Sequence, residues 1–124
     1  EVDRDRLQQA ASLACIDSFI QSLPMGYSSQ VGDMGSIMSA GQGQRILLAR
    51  AFYKQPRLLF LDEASANLDE QTELEILQAI ASRRITTVMI THRPAPITIA
   101  HRVYHCDKGG LQLIRNYPGP GTKP

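Results

Sequence analysis

The sequence has few features that would assign it to a simple class. It contains only two cysteines, Cys15 and Cys106. They lie far apart and match no metal-ligand spacing, so they read as reduced, structural thiols. There is no Lys/Arg-rich run, and the net charge is +1. That balance implies no general pull toward nucleic acid or anionic lipid, and no nucleic-acid partner is expected. No apolar run approaches the ~20 residues needed to cross a bilayer. The chain opens Glu1-Val2-Asp3-Arg4, without an initiator Met or an apolar signal segment, as expected of the interior of a longer chain. No internal repeat is present.

What remains is an ordinary globular composition. The 124 residues are 43% hydrophobic and 20% charged, enough for one domain or part of one with a modest core. Residues 3–23 are helical in pattern but fall into two registers. Leu7, Ala10, Ala11 and Ala14 share one face; Ile16, Phe19, Ile20 and Leu23 share another. The step of two between Ala14 and Ile16 predicts two short helices, with Asp17 as N-cap of the second and Pro24 ending it. Residues 24–40 are loop-like and hold Gly26, Gly32 and Gly35. Residues 41–53 predict a helix with Ile46, Leu47, Ala49, Arg50 and Phe52 along its stripe, stopped by Pro56. The run Leu58-Leu59-Phe60-Leu61 does not alternate, which predicts a strand buried on both faces of a parallel sheet. Asp69 is placed to cap a helix reaching about Ser82, with Glu70 and Glu73 in its first turn and Arg83 and Arg84 at its end. Residues 85–90 form a second strand, giving a parallel crossover unit. A short helix over 94–100 follows. Residues 102–106 and 111–114 then flank Asp107-Lys108-Gly109-Gly110 as a hairpin at the sheet edge. Residues 116–124 are Pro/Gly-rich and read as a disordered tail.

Three places carry chemistry. Asp62 and Glu63 follow the buried run directly, at the strand end where ligands of open parallel sheets bind. An Asp there can hold Mg²⁺ through its water shell, and the adjacent Glu can accept a proton from an attacking water. A solvated acidic turn is the plain alternative. His92 ends Ile90-Thr91-His92 after the second strand and can hydrogen-bond a terminal phosphate; by itself it also reads as a solvated histidine. His101 and His105 have no ligand partners at suitable spacing and read as structural. Ser39-Ala40-Gly41-Gln42 precedes a helix. It forms a capping box on paper, and it also offers exposed N–H groups, a hydroxyl and a glycine to a phosphate.

These strings together resemble the ATPase domain of ABC transporters. Met38-Ser39-Ala40-Gly41-Gln42, followed by Gln44-Arg45 and Leu48-Ala49-Arg50-Ala51, resembles the signature motif and its helix. Leu58-Leu59-Phe60-Leu61-Asp62-Glu63 is similar to Walker B with the catalytic glutamate, Ser65-Ala66-Asn67-Leu68-Asp69 to the D-loop, and Thr91-His92-Arg93 to the H-loop. The four stand in family order over residues 38–93. Leu23-Pro24-Met25-Gly26-Tyr27 and Gln30-Val31-Gly32-Asp33-Met34-Gly35 resemble the exporter-type segment that touches the membrane domain. The wording from Val31 to Ser36 is similar to bacteriocin exporters of the colicin V type.

The resemblance implies an α/β chain: a partial P-loop NTPase fold with a helical subdomain, part of a parallel core sheet and a C-terminal hairpin. Residues 1–115 would form the C-terminal part of the ATPase domain, with 1–55 helical and signature-bearing and 56–115 part of the core sheet. It implies ATP and Mg²⁺ as cofactors, Glu63 and His92 as catalytic residues, and Asp62 on the Mg²⁺ side. Asp69 would belong to the D-loop, and Ser39, Ala40, Gly41 and Gln42 would contact the nucleotide of a second nucleotide-binding domain. The implied partners are an N-terminal half with Walker A, a second such domain in a dimer, and a transmembrane domain at the cytoplasmic face of the bacterial inner membrane. The departures are Met38 for the usual Leu, Ala40 for the usual first Gly, and the lack of any Gly-x-x-x-x-Gly-Lys-Ser/Thr string. The last leaves exposed apolar surface expected where the other half packs, and no activity expected of the chain alone. Two rival readings are the C-terminal lobe of a DNA-repair type ATPase, which calls for a heptad coiled coil upstream, and an inert or partner-binding remnant.

Overall fold

The computed structural model describes residues 2–30 and 38–117, so most of the Gln30–Gly35 exporter-like segment lies outside the described residues. The chain forms two compact units, Glu1–Thr91 and His92–Pro124. The first contains α1 (Arg4–Leu13), α2 (Asp17–Ser22), a 3-10 turn (Gly26–Ser28), α3 (Ala40–Tyr53), β1 (Leu58–Asp62), α4 (Glu70–Ser82) and β2 (Thr86–Ile90). The second contains α5 (Pro94–Ile99), β3 (Arg102–Asp107) and β4 (Gly110–Asn116).

The register break read from the sequence is a backbone event. Cys15 sits at φ 54, one left-handed residue that ends α1 and redirects the chain into α2. The capping expectation needs correction here. Ile16, not Asp17, is the N-cap of α2, and it makes no side-chain cap bond. The Asp17 carboxylate is used one turn on, accepting from Gln21 Nε2 at 2.9 Å and from the Tyr27 hydroxyl at 2.5 Å. Burial and that bond to Asp17 push the Tyr27 hydroxyl well above its ordinary pKa. The helix ends at Ser22, and Leu23 is extended, as the residue before a proline tends to be.

The core of this unit forms where α1 meets α3. Ala10, Ala11 and Ala14 present only methyl groups and are almost completely buried. Small side chains let two helix backbones approach closely, and Leu48 and Phe52 of α3 join the same cluster with Leu59, Leu61, Leu68, Ile76 and Ile80. The stripe expected on α3 is therefore partly misplaced. Leu48 and Phe52, four apart, face inward, whereas Leu47 is 64% exposed. At the rim, the Arg6 guanidinium lies 4.3 Å from the centre of the Tyr53 ring, and the Asp3 N–H donates to the Tyr53 hydroxyl at 3.2 Å.

Strands β1 and β2 pair in parallel, with Leu58 opposite Thr86 and Asp62 opposite Ile90, and α4 lies between them in sequence. Burial on both faces is not found. Leu59 and Leu61 are buried, but Phe60 is 70% exposed, and Leu58, Val88 and Ile90 stand on the same open side. Among the described residues this sheet has two strands and a core on one face.

In the second unit, Pro94 starts α5, where its missing N–H costs nothing. The hairpin turns at Lys108-Gly109, with Gly110 at φ 139. Among the described residues, β3 and β4 form a two-stranded antiparallel sheet. The Arg115 guanidinium donates to the carbonyls of Ile97, Thr98 and Ala100, satisfying the open C-terminal end of α5. Order runs further than expected. Asn116 belongs to β4, and the Tyr117 N–H donates to the His101 carbonyl at 2.6 Å. Residues 118–124 of the expected tail lie outside the described residues. No described helix is long and apolar enough to cross a membrane.

The inward face of α3 can be tested directly. Leu48→Ala should cost roughly 2–5 kcal/mol in urea unfolding, while Leu47→Ala should stay within about 0.5 kcal/mol. Equal losses at the two positions would contradict this orientation.

Candidate functional site

The carboxyl end of β1 delivers two acids into different settings. Asp62 is the last strand residue, exposed on the same side as Phe60. Glu63 leaves the strand at φ 47, a left-handed conformation unusual for a residue with a Cβ. Three hydrogen bonds hold that backbone. Its N–H donates to the Ile90 carbonyl of β2 at 2.9 Å, and its carbonyl accepts from the Ala66 N–H at 3.1 Å and from Gln44 Nε2 at 3.5 Å. Such a backbone persists where its surroundings over-determine it, and such places cluster at functional sites.

The chain then turns tightly. The Leu68 N–H donates to the Ser65 carbonyl at 3.0 Å, and the Leu68 side chain is buried. Asp69 caps α4 as the sequence predicts. Its carboxylate accepts from the Thr72 N–H at 2.9 Å and from the Thr72 hydroxyl at 2.6 Å. The Thr72 hydroxyl, and then its N–H, hold the Asp69 carboxyl below the usual carboxylate range.

Ser39 is the N-cap of α3, and the full capping box is formed. The Gln42 N–H donates to Ser39 Oγ at 3.2 Å, and the Ser39 N–H donates to Gln42 Oε1 at 2.9 Å. Ser39 Oγ is the acceptor in the first of these bonds, and a hydroxyl can also donate its own proton. Ser39 and Ala40 are exposed, so this helix start faces outward.

These two regions touch. A Cβ on Gly41 would lie 2.7 Å from the Asn67 carbonyl oxygen, so glycine is needed there for the start of α3 to reach the turn after β1. Gln44 adds the link to Glu63 and accepts the Asn67 N–H at 3.1 Å. Arg45 donates to the Gly41 carbonyl at 3.4 Å and to the Cys15 carbonyl at 2.7 Å, tying the same turn of helix to the end of α1. The structure thus brings Ser39, Ala40, Gly41 and Gln42 beside residues 63–69. His92 opens the second unit and is exposed. The sequence reading singled out Gly41 only for closeness to phosphate and gave Gln44 no separate role. Its place three residues after Gly41, on the same helix face, was the available signal.

Among the described residues, no three His, Cys, Asp or Glu side chains gather as a metal-ligand set.

Two measurements follow from this geometry. Gly41→Ala should destabilise by about 1–3 kcal/mol through the backbone clash. Gly43→Ala, where the added Cβ meets nothing within 4 Å, should stabilise by up to about 1 kcal/mol through helix propensity. Denaturant curves showing a gain at both positions would overturn the close approach. The Asp69 cap should support α4 above the ordinary Asp pKa of about 3.9 and lose its effect as pH falls through the lowered folded value. Asp69→Asn, a cap that does not titrate, should melt with a weaker acid dependence between about pH 5 and pH 2. Parallel pH curves for the two proteins would remove this role.

Residues 3–66 match the family profile described as ABC transporter. Over 113 residues the chain is 43% identical to exp8 of Streptococcus pneumoniae, whose name describes an ABC transporter ATP-binding protein; the alignment covers 90% of this chain and 19% of that protein. It is 39% identical over 103 residues to the colicin V secretion/processing ATP-binding protein CvaB of Escherichia coli, covering 83% of this chain and 15% of the relative. A solved structure described as a bacterial Atm1-family ABC exporter with ATP bound superimposes with a TM-score of 0.79 at 38% identity, over 88% of this chain and 19% of that one. The chain therefore spans about a fifth or less of the length of these relatives. With the signature-like helix start packed against the turn after β1, and with this profile and these relatives, the chain belongs to the ABC transporter family.

Proposed function

We propose that this chain is the C-terminal part of the ATP-hydrolysing domain of an ABC exporter. The observation that carries the reading is the joining of Ser39–Gln42 to residues 63–69 through Gly41, Gln44 and Asn67.

In this reading Glu63 accepts the proton of the water that attacks the γ-phosphate of ATP, and His92 hydrogen-bonds that phosphate. Asp62 holds Mg²⁺ through water, and the ion supplies charge stabilisation at the phosphate oxygens. Asp69 closes the D-loop by fixing the start of α4. Ser39, Ala40, Gly41 and Gln42 address the ATP of a second nucleotide-binding domain, where the N-terminal end of α3 favours negative charge. The open side of β1 and β2, with Leu58, Phe60, Val88 and Ile90, supports packing of an N-terminal half that carries Walker A. The chain alone is then not expected to hydrolyse ATP. The dimer, a transmembrane domain and a place at the cytoplasmic face of the bacterial inner membrane complete the proposal. The colicin V-like wording of residues 31–36 supports a peptide or bacteriocin-like cargo, as do the names of CvaB and the microcin-H47 secretion/processing protein. Relatives of similar identity named as multidrug resistance proteins keep other cargoes in view.

Glu63→Gln in the complete transporter keeps the side-chain shape and removes the proton acceptor. ATP should still bind, and hydrolysis should fall about 10²–10⁴-fold. A mixed dimer adds the arrangement of the two sites. With Ser39→Arg and Glu63→Gln in opposite chains, both defects should fall on one ATP site and leave more activity than with both in the same chain. Near-normal turnover of the Gln variant would end the base assignment; the reverse order of the two mixed dimers would end the trans arrangement.

A further inference from the structure

We infer that Gln44 is a positioning residue for hydrolysis: its carboxamide ties the start of the signature-like helix to the Glu63 backbone and to the 65–69 turn within one chain. The inference rests on the reading of Glu63 as the base.

The geometry fixes the orientation of the amide. The Asn67 N–H can only donate, so it requires Oε1, which it meets at 3.1 Å. Nε2 is then directed at the Glu63 carbonyl, 3.5 Å away, which can only accept. One side chain thus reads two backbone groups four residues apart, one on each side of the bend that carries Glu63. The bend has little freedom of its own. Glu63 is held at φ 47, and the same Glu63 carbonyl accepts from the Ala66 N–H. Gly41 lies one turn before Gln44 on α3 and presses directly on Asn67. Helix start and acidic bend therefore cannot move independently. The tie holds the Glu63 backbone in register with the start of α3.

Two substitutions separate the halves of this tie. Gln44→Met keeps the length and removes both bonds. Gln44→Glu keeps the acceptor for Asn67 and removes the donor to Glu63. In the complete transporter, Gln44→Met should lower kcat for ATP roughly tenfold, with KM changed less than twofold, because the tie orients the base and contributes little to ATP affinity. Hydrogen exchange should show the Asn67 amide opening faster in the Met variant and staying protected in the Glu variant. The Glu variant should nevertheless lose several-fold in kcat, and it carries the test if the Met variant does not fold. Unchanged Asn67 exchange in the Met variant, or a kcat equal to the parent in either variant, overturns the inference. Glu63→Gln run in parallel distinguishes the two failures. If that variant loses turnover while both Gln44 variants keep it, Glu63 is the base and Gln44 does not position it. If it keeps turnover while Gln44→Met loses Asn67 protection and Gln44→Glu keeps it, the tie stands and the base reading fails.

Discussion

The packing of Leu48 and Phe52 against Ala10, Ala11 and Ala14 sets the position of everything that follows in the first unit. Three methyl groups leave no bulk between α1 and α3, so the helix axes come close and α3 has one seat. Once α3 is seated, its start is fixed in space, and Gly41 meets Asn67 at backbone contact. Leu59 and Leu61 fill the same cluster from β1, which delivers Asp62 and Glu63 to the other side of that contact. The site is thus a by-product of the core: the same apolar contacts that exclude water align the polar groups at its rim.

Glu63 pays locally for this alignment. A left-handed backbone at a residue with a Cβ costs on the order of 1–3 kcal/mol. The offset comes from neighbours: the Ile90 carbonyl, the Ala66 N–H and the Gln44 amide. Two of these three lie next to Glu63 in the chain or in the sheet. Gln44 is the one that comes from a helix, which makes it the point where α3 and the acid share a constraint.

Much of the fold was legible because periodicity and punctuation agreed. The two-register pattern of residues 3–23, Asp69 before an apolar helix, and Asp107-Lys108-Gly109-Gly110 between two apolar runs each carried a local cause that the structure keeps. The errors arose where a local pattern had two solutions. An unbroken run such as Leu58-Leu59-Phe60-Leu61 fits burial on two faces or on one, and only tertiary partners decide. Leu47 and Leu48 are equally apolar neighbours, and the choice between them depends on where α1 lies. Asp17 has the chemistry of a cap, but Tyr27 and Gln21 compete for its carboxylate. The site residues were legible as strings, whereas the bonds of Gln44 join positions 19 and 23 residues away and leave no short-range trace.

Positions 40 and 41 look alike in sequence, two small residues in a row, yet they obey different rules of substitution. Ala40 is exposed at the first position of α3, so a methyl group there meets solvent or whatever the helix start addresses. Gly41 is closed from within its own chain by the Asn67 carbonyl. Substitution at 40 therefore changes what the exposed helix start presents, whereas substitution at 41 is limited by the fold itself. A chain can carry Ala at 40 and tune its contact with a ligand, but any side chain at 41 must first move the turn that holds the acid.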